Sequence, residues 1–195
     1  MTEETIPAPT PEQIHDFVIA AHGNLPRVRE LLVENPGLLN VIYQWGENDS
    51  ETAIQAAAQT GSIAVAEFLL SRGAPLEICT AAMLGRTADV KQMLDKDPGL
   101  INARGAHGIT LMAHAALSNN LSLVKMLFKR GANTGMSMAL GNAVMHGHFE
   151  MARWIIENGQ PDFKWKNYEG KTLLTIANER GDKNMIKLLR EHGSA

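Results

Sequence analysis

Six copies of one short pattern run through the chain. Units of 24 to 38 residues cannot each bury their own apolar side, so a repeat of this period points to a stacked array. Each copy sets small residues ahead of a Gly or Asn, continues with apolar residues at helical spacing, and closes on another Gly. The turn residues are Gly23, Gly61, Gly85, Asn119, Gly147 and Gly181. In the second copy Ala57 and Ala58 precede Gly61, and Val65, Phe68, Leu69 and Leu70 precede Gly73. The fourth follows suit with Ala115, Ala116, Asn119, Val124, Leu127, Phe128 and Gly131. This pattern predicts two antiparallel helices per copy. The small pair permits close helix approach, a left-handed Gly or Asn turns the chain, and the later Gly, including Gly159 and Gly193, caps the second helix.

The residues resemble the ankyrin repeat family, whose pattern is close to D-x-x-G-x-T-P-L-H-x-A-A-x-x-G-H followed by a leucine-rich helix and G-A. The best stretches are NARGAHGITLMAHAALSNN, with Gly108 and Thr110 on the family's G-x-T, and EGKTLLTIANERGD, with Gly170 and Thr172 there. The T-P-L-H core reads Thr52-Ala53-Ile54-Gln55, Thr110-Leu111-Met112-Ala113 and Thr172-Leu173-Leu174-Thr175, so none keeps the His that bonds neighbouring repeats in the family. The resemblance implies an all-α solenoid of about six helix-turn-helix repeats. Spacings of 38, 24, 34, 28 and 34 between turn residues leave room for β-hairpin fingers before repeats two, four and six only. The first finger, Asn40 to Thr52, is four residues longer than its equivalent, Asn102 to Thr110. NPGLLNV at 35–41 and DPGLINA at 97–103 suggest duplication of a two-repeat unit. Residues 1–10 are expected to be a disordered lead-in and 11–195 the repeat domain. Arg27, Glu30 and Arg190 supply the polar outer faces that end repeats need.

A net charge of -3 argues against a nucleic-acid binder. It is unevenly spread: residues 1–100 carry 6 Lys/Arg against 14 Asp/Glu, and residues 101–195 carry 12 against 7. No apolar stretch approaches the roughly 20 residues that cross a bilayer, so no membrane partner is expected. One cysteine, Cys79, cannot form an internal bridge, and with no secretory signal the expectation is a cytoplasmic protein.

No phosphate loop, nucleophile elbow, H-E-x-x-H or C-x-x-C is present. His146 and His148 flank Gly147 but lack the third and fourth ligands a metal requires, and His148 falls on the G-H of the family pattern. Cys79 reads as a small buried hydrophobe, His107 as a solvated tip residue and His114 as a packed one. No catalytic residue, metal or cofactor is therefore expected. The remaining alternatives are an inhibitor of a specific enzyme, or a metal-dependent regulator or enzyme using His146 and His148.

The resemblance implies a concave binding surface made of the fingers and the two residues before each turn. Those pairs are Gln59-Thr60, Met83-Leu84, Leu117-Ser118, Met145-His146 and Glu179-Arg180. Met83, Leu84, Leu117 and Met145 are anomalously apolar for a solvated face. Two readings stand: an adaptable binding patch, or a core formed where short connections draw neighbours over them. Tyr43 and Trp45 in the first finger and Tyr168 in the last are interface-type residues. Trp165 reads as packed on an adjacent loop, and Trp154 as core. The expected contact set is Tyr43, Trp45, Gln59, Thr60, Met83, Leu84, Leu117, Met145, His146, Tyr168 and Arg180. The partner is expected to be a protein, with an acidic patch facing the basic last repeat. The chain itself is expected to be a monomer with weak head-to-tail self-association.

Overall fold

Twelve helices form six antiparallel pairs in the computed structural model, which describes residues 7–193. The pairs are α1 (Pro11–Ala21) with α2 (Leu25–Glu34), α3 (Ala53–Thr60) with α4 (Ile63–Ser71), and α5 (Ile78–Met83) with α6 (Thr87–Lys96). They continue with α7 (Leu111–Leu117) and α8 (Leu121–Lys129), α9 (Met136–His146) and α10 (Phe149–Gly159), and α11 (Leu173–Glu179) and α12 (Lys183–Glu191). Four of the six first helices start where a threonine side chain accepts an N–H of the opening turn, at Thr10, Thr52, Thr110 and Thr172, whereas α5 and α9 follow Glu77 and Gly135 without a side-chain cap. At Thr10 and Thr52 a glutamine three residues on returns the bond, completing capping boxes.

Gly61, Gly85, Asn119, Gly147 and Gly181 turn the chain with φ between 55° and 73°. Gly23 is the exception, since α1 runs through His22 into a turn of negative φ and Asn24 caps α2. Gly159 ends its helix in helical geometry, and Gln160 (φ 49°) takes the left-handed position expected of that glycine.

The fingers differ in form. The first is a two-stranded antiparallel hairpin, β1 (Ile42–Gly46) and β2 (Asp49–Thr52), pairing Ile42 with Thr52, Tyr43 with Glu51 and Gln44 with Ser50. Its four extra residues make the difference. The second and third fingers close on single bridges, Arg104 to Thr110 and Lys166 to Thr172.

Bonds between neighbouring repeats replace those of the missing histidine. Gln55, at that position, donates from its side-chain amide to Glu77 of the next repeat at 2.9 Å. Thr60 and Ser62 donate to the His22 carbonyl, Asn120 to the Gly85 carbonyl, Asn142 to the Ala113 carbonyl, and Arg180 to the Met145 carbonyl.

The third repeat is compressed, with an α5 of only six residues. Across this short helix its neighbours approach one another. A Cβ on Gly61 of repeat two would lie 3.6 Å from a Leu117 methyl of repeat four and 3.3 Å from the His146 ring of repeat five. Met83 (0% exposed) and Leu117 (6%) are thereby closed into the core shared with the first two repeats. A second core runs from Ile78 to Leu189.

At the N-terminal end Arg27 pairs with Asp16 and Glu30, keeping the outer face polar. Of the expected lead-in, residues 1–6 lie outside the described residues, while the Pro7 carbonyl accepts from the buried Asn35 amide at 3.1 Å. Among the described residues no helix is long and apolar enough to cross a membrane.

Candidate binding site

Finger one, the end of α1 and the tip of finger two meet at one place. Strand alternation sets Tyr43 and Trp45 on the same side of β1, with ring centroids 4.8 Å apart and edge to face, and His15 of α1 lies 4.9 Å from Tyr43. Trp45 sits at a bulge between the Gln44–Ser50 and Gly46–Asp49 pairs. From there its indole N–H donates to Glu51 Oε2 at 2.9 Å.

Glu51 is fully buried on β2, in a position where a charged side chain is rare without a partner. Burial pushes its carboxyl above the usual glutamate range, against the Trp45 hydrogen bond and the nearby His22 and His107 rings, which favour the charged form. His107 Nδ1 donates to Asp49 Oδ2 at 2.7 Å, leaving its Nε2 3.6 Å from Glu51 Oε2. His22 Nδ1 donates to the Val18 carbonyl at 3.0 Å, leaving its Nε2 3.7 Å from the same oxygen and beside the Gln59 amide. Ile19, His22, Trp45 and His107 line a cavity of about 340 Å³, with Glu51 buried out of its reach. Ile19 (46% exposed) and Trp45 (37%) are its open apolar walls.

The other expected contact residues divide. Met83 and Leu117 are core, so the exposed-patch reading fails for them and the alternative, that neighbours cover them, holds. The physical cause is the compressed third repeat. Leu84 and Met145 are half-buried. Gln59 and Thr60 are half-buried too, and their polar ends are engaged with His22. His146 and Arg180 are exposed, and Tyr168 on the last finger is 93% exposed. Trp165 lies against Gly141, where an added Cβ would overlap the ring, so the tryptophan pins the last finger to α9.

His146 and His148 stand with ring centroids 5.6 Å apart, and His148 Nδ1 meets the Ala116 carbonyl. Burial depresses both pKa values. The second cause is the neighbouring His148 for His146, while for His148 the carbonyl bond opposes the shift, and Arg180 depresses both further. Among the described residues no group of three or more His, Cys, Asp or Glu is arranged to hold a metal ion. Cys79 is buried, and its thiol is pushed up to about 12, chiefly by burial.

Sequence reasoning did not find Ile19, His22, Asp49 or Glu51. His107, read there as a solvated tip, instead bonds across to finger one. The cross-strand pairing of Tyr43 with Glu51 was available from finger length and alternation. The arrival of His22 from α1 was not.

Residues 49–81 match the family model described as Ankyrin repeat, and residues 114–195 the one described as Ankyrin repeats (3 copies). Curated relatives include an ankyrin repeat protein of Fowlpox virus, 29% identical over 61% of this chain and 28% of its own length. An I-kappa-B-like protein of Microplitis demolitor bracovirus is 26% identical over 62% of this chain and 79% of its own length. A B-cell lymphoma 3 protein homolog of Mus musculus is 24% identical over 90% of this chain and 34% of its own length. The chain thus spans about a quarter of the first of these relatives and most of the second.

Proposed function

Since the chain belongs to the ankyrin repeat family, whose repeats form protein-protein interaction modules, we propose that it is a non-catalytic module gripping a partner protein through finger one and the flank beside it. One observation carries this reading. Trp45 and Ile19 are open to solvent, yet are held in place by Tyr43, Glu51 and the ends of α1 and finger two. A rigid aromatic anchor over apolar surface is what an interface hot spot requires. The contact set is Ile19, Tyr43, Trp45 and His107 at one end and Met145, His146, Tyr168 and Arg180 at the other.

The last repeat supports a second, electrostatic contribution. Lys164, Lys166 and Lys183 form no ion pair among the described residues, whereas Lys171 is held by Glu169 and Glu179. These free cations steer an acidic region of the partner and raise the association rate more than the affinity. We place the protein in the cytoplasm as a monomer. Its one thiol is buried and suits a reducing compartment.

Affinity capture with the full chain, quantified by mass spectrometry, tests the reading. Trp45→Ala with Tyr168→Ala should lose partners that the wild type retains, while the helical content stays at the wild-type level and the stability falls only by the loss of the Trp45–Glu51 bond, about 1 to 3 kcal/mol. Equal recovery by both proteins refutes it.

A further inference from the structure

We propose that His146, His148 and Arg180 form a seat for a phosphoryl group carried on a serine or threonine side chain of the partner protein. This rests on the contact surface proposed above, whose far end the cluster occupies, and it specifies one chemical group which that surface recognises.

Repeats four, five and six build the cluster. His146 closes α9, Gly147 turns the chain with φ 69°, and His148 precedes α10, so the two rings flank the glycine with centroids 5.6 Å apart and planes 35° apart. Arg180 follows α11, reaches back from the last repeat and donates from Nη1 to the Met145 carbonyl at 2.7 Å. A Cβ on Gly147 would overlap Nη2 of this arginine, so the bare glycine is what lets the guanidinium settle on the turn. His148 is fixed from the other side, its Nδ1 donating to the Ala116 carbonyl at 3.2 Å.

The charges that act on these rings are all positive. His146 is next to His148 and Arg180, His148 is next to Arg180, and no carboxylate acts on either ring among the described residues. The acidic residues nearest along the chain are engaged elsewhere, Glu150 with Arg153 and Glu179 with Lys171. A guanidinium carries five N–H donors, of which Arg180 spends one on Met145. His146 is exposed and makes no hydrogen bond among the described residues. What such a cluster lacks is an anion, and residues 101–195, with 12 Lys/Arg against 7 Asp/Glu, supply a field that draws one in.

The donors also select among anions. They belong to three separate side chains, and the inclined rings do not share one plane, so the two coplanar oxygens of a carboxylate cannot meet them all. A phosphoryl group offers three acceptor oxygens in a tetrahedral array and a charge of about −1.5 to −2 near neutrality. The outer side of the seat is open, with the half-buried Met145 beside it, which suits a group presented on a peptide that makes flanking contacts. Binding is also linked to protons. A charge added to His146 or His148 meets only positive neighbours in the free protein, and a bound phosphoryl group reverses that balance and raises both pKa values. Affinity is therefore greater at about pH 6.5, the ordinary histidine value, than at about pH 8.

Histidine-ring NMR of the full chain, titrated with N-acetyl-phosphoserine methylamide, N-acetyl-glutamate methylamide and inorganic phosphate, tests the seat. The phosphoserine probe should give saturable shifts at His146 and His148, leave His22 and His114 in place, raise the titration midpoints of the first two, and bind about tenfold or more tighter than the glutamate probe. Arg180→Gln should weaken it by about tenfold or more, as expected for a lost charge-assisted contact. Should that variant fail to fold, His146→Leu should weaken the probe in the same way. Lys125→Gln, which removes the same charge from the exposed side of α8, should not. Equal binding of the glutamate probe, equal weakening by Lys125→Gln, or unmoved histidine midpoints overturn the proposal. Inorganic phosphate binding about tenfold tighter than the phosphoserine probe overturns it too, since the seat would then hold a free ion. Loss of partner capture in the Trp45→Ala, Tyr168→Ala variant without any phosphoserine binding would leave the contact surface standing and this inference rejected. Phosphoserine binding with capture unchanged in that variant would reject finger one and leave the seat.

Discussion

The His107 imidazole donates to the Asp49 carboxylate at 2.7 Å across 58 residues of chain, so the tip of the second finger is latched to the first. His107 holds a left-handed backbone (φ 54°) unusual for a residue with a side chain, and this conformation aims the ring across the gap. Finger one is the longest of the three and the only true hairpin among the described residues, and this latch keeps Trp45 in a fixed position over Glu51.

Cutting the latch should loosen the finger more than it destabilises the fold. His107→Ala removes a partly exposed contact whose expected contribution is under about 1 kcal/mol, yet amide exchange over 42–52 should quicken. Hydrogen exchange followed by mass spectrometry, alongside a thermal melt, separates the two effects.

Met83 belongs to the core. Its truncation in Met83→Ala should cost about 2 to 5 kcal/mol, the range for deleting a fully buried large side chain, and urea denaturation measures it. A variant that melts like wild type while losing partners would restore Met83 to the exposed binding surface.

Gly141 has no room for a methyl group. In Gly141→Ala the new Cβ would overlap the Trp165 ring, displacing the tryptophan or the last finger at a cost of about 1 to 3 kcal/mol. Red-shifted tryptophan fluorescence and a lower melting temperature should appear together.

Acid should weaken the fold through its histidines. His114 is 1% exposed, and burial depresses its pKa, opposed by its bond to the Thr110 carbonyl; His146 and His148 shift the same way. A depressed pKa means the folded state binds the proton less readily than the unfolded one. Stability is thus full above the unfolded value of about 6.5 and falls as pH drops through it. Glu51 acts oppositely, because its raised pKa adds stability at low pH that is lost as pH rises above the usual glutamate range. Unfolding free energies measured between pH 4 and 8 should show a shallower loss below neutrality in His114→Leu. In Glu51→Gln the opposing slope should disappear.

Much of the array was legible because local chemistry decides it. Left-handed turns at Gly61, Gly85, Asn119, Gly147 and Gly181, threonine caps and small-residue pairs act within a few residues of one another. Trp165 was readable as packed, but its surface is Gly141 on the α9 helix and not the adjacent loop that was expected. The fate of Met83 and Leu117 was not readable. It depends on how far α5 falls short and how closely Gly61 then approaches Leu117 and His146, a distance set by three repeats together. The cavity at Trp45 was half readable: alternation pairs Tyr43 with Glu51, but His22 and His107 arrive from elements 20 residues or more away in sequence from Trp45 and follow no local rule.

Hydrogen exchange on the captured complex, compared with the free chain, tests the central claim most directly. Protection is predicted over β1 and β2, the end of α1 around Ile19 and His22, and the finger-two tip at His107, with α4 and α6 unchanged. Protection confined to the second helices of the repeats, with finger one exchanging as in the free protein, would contradict it.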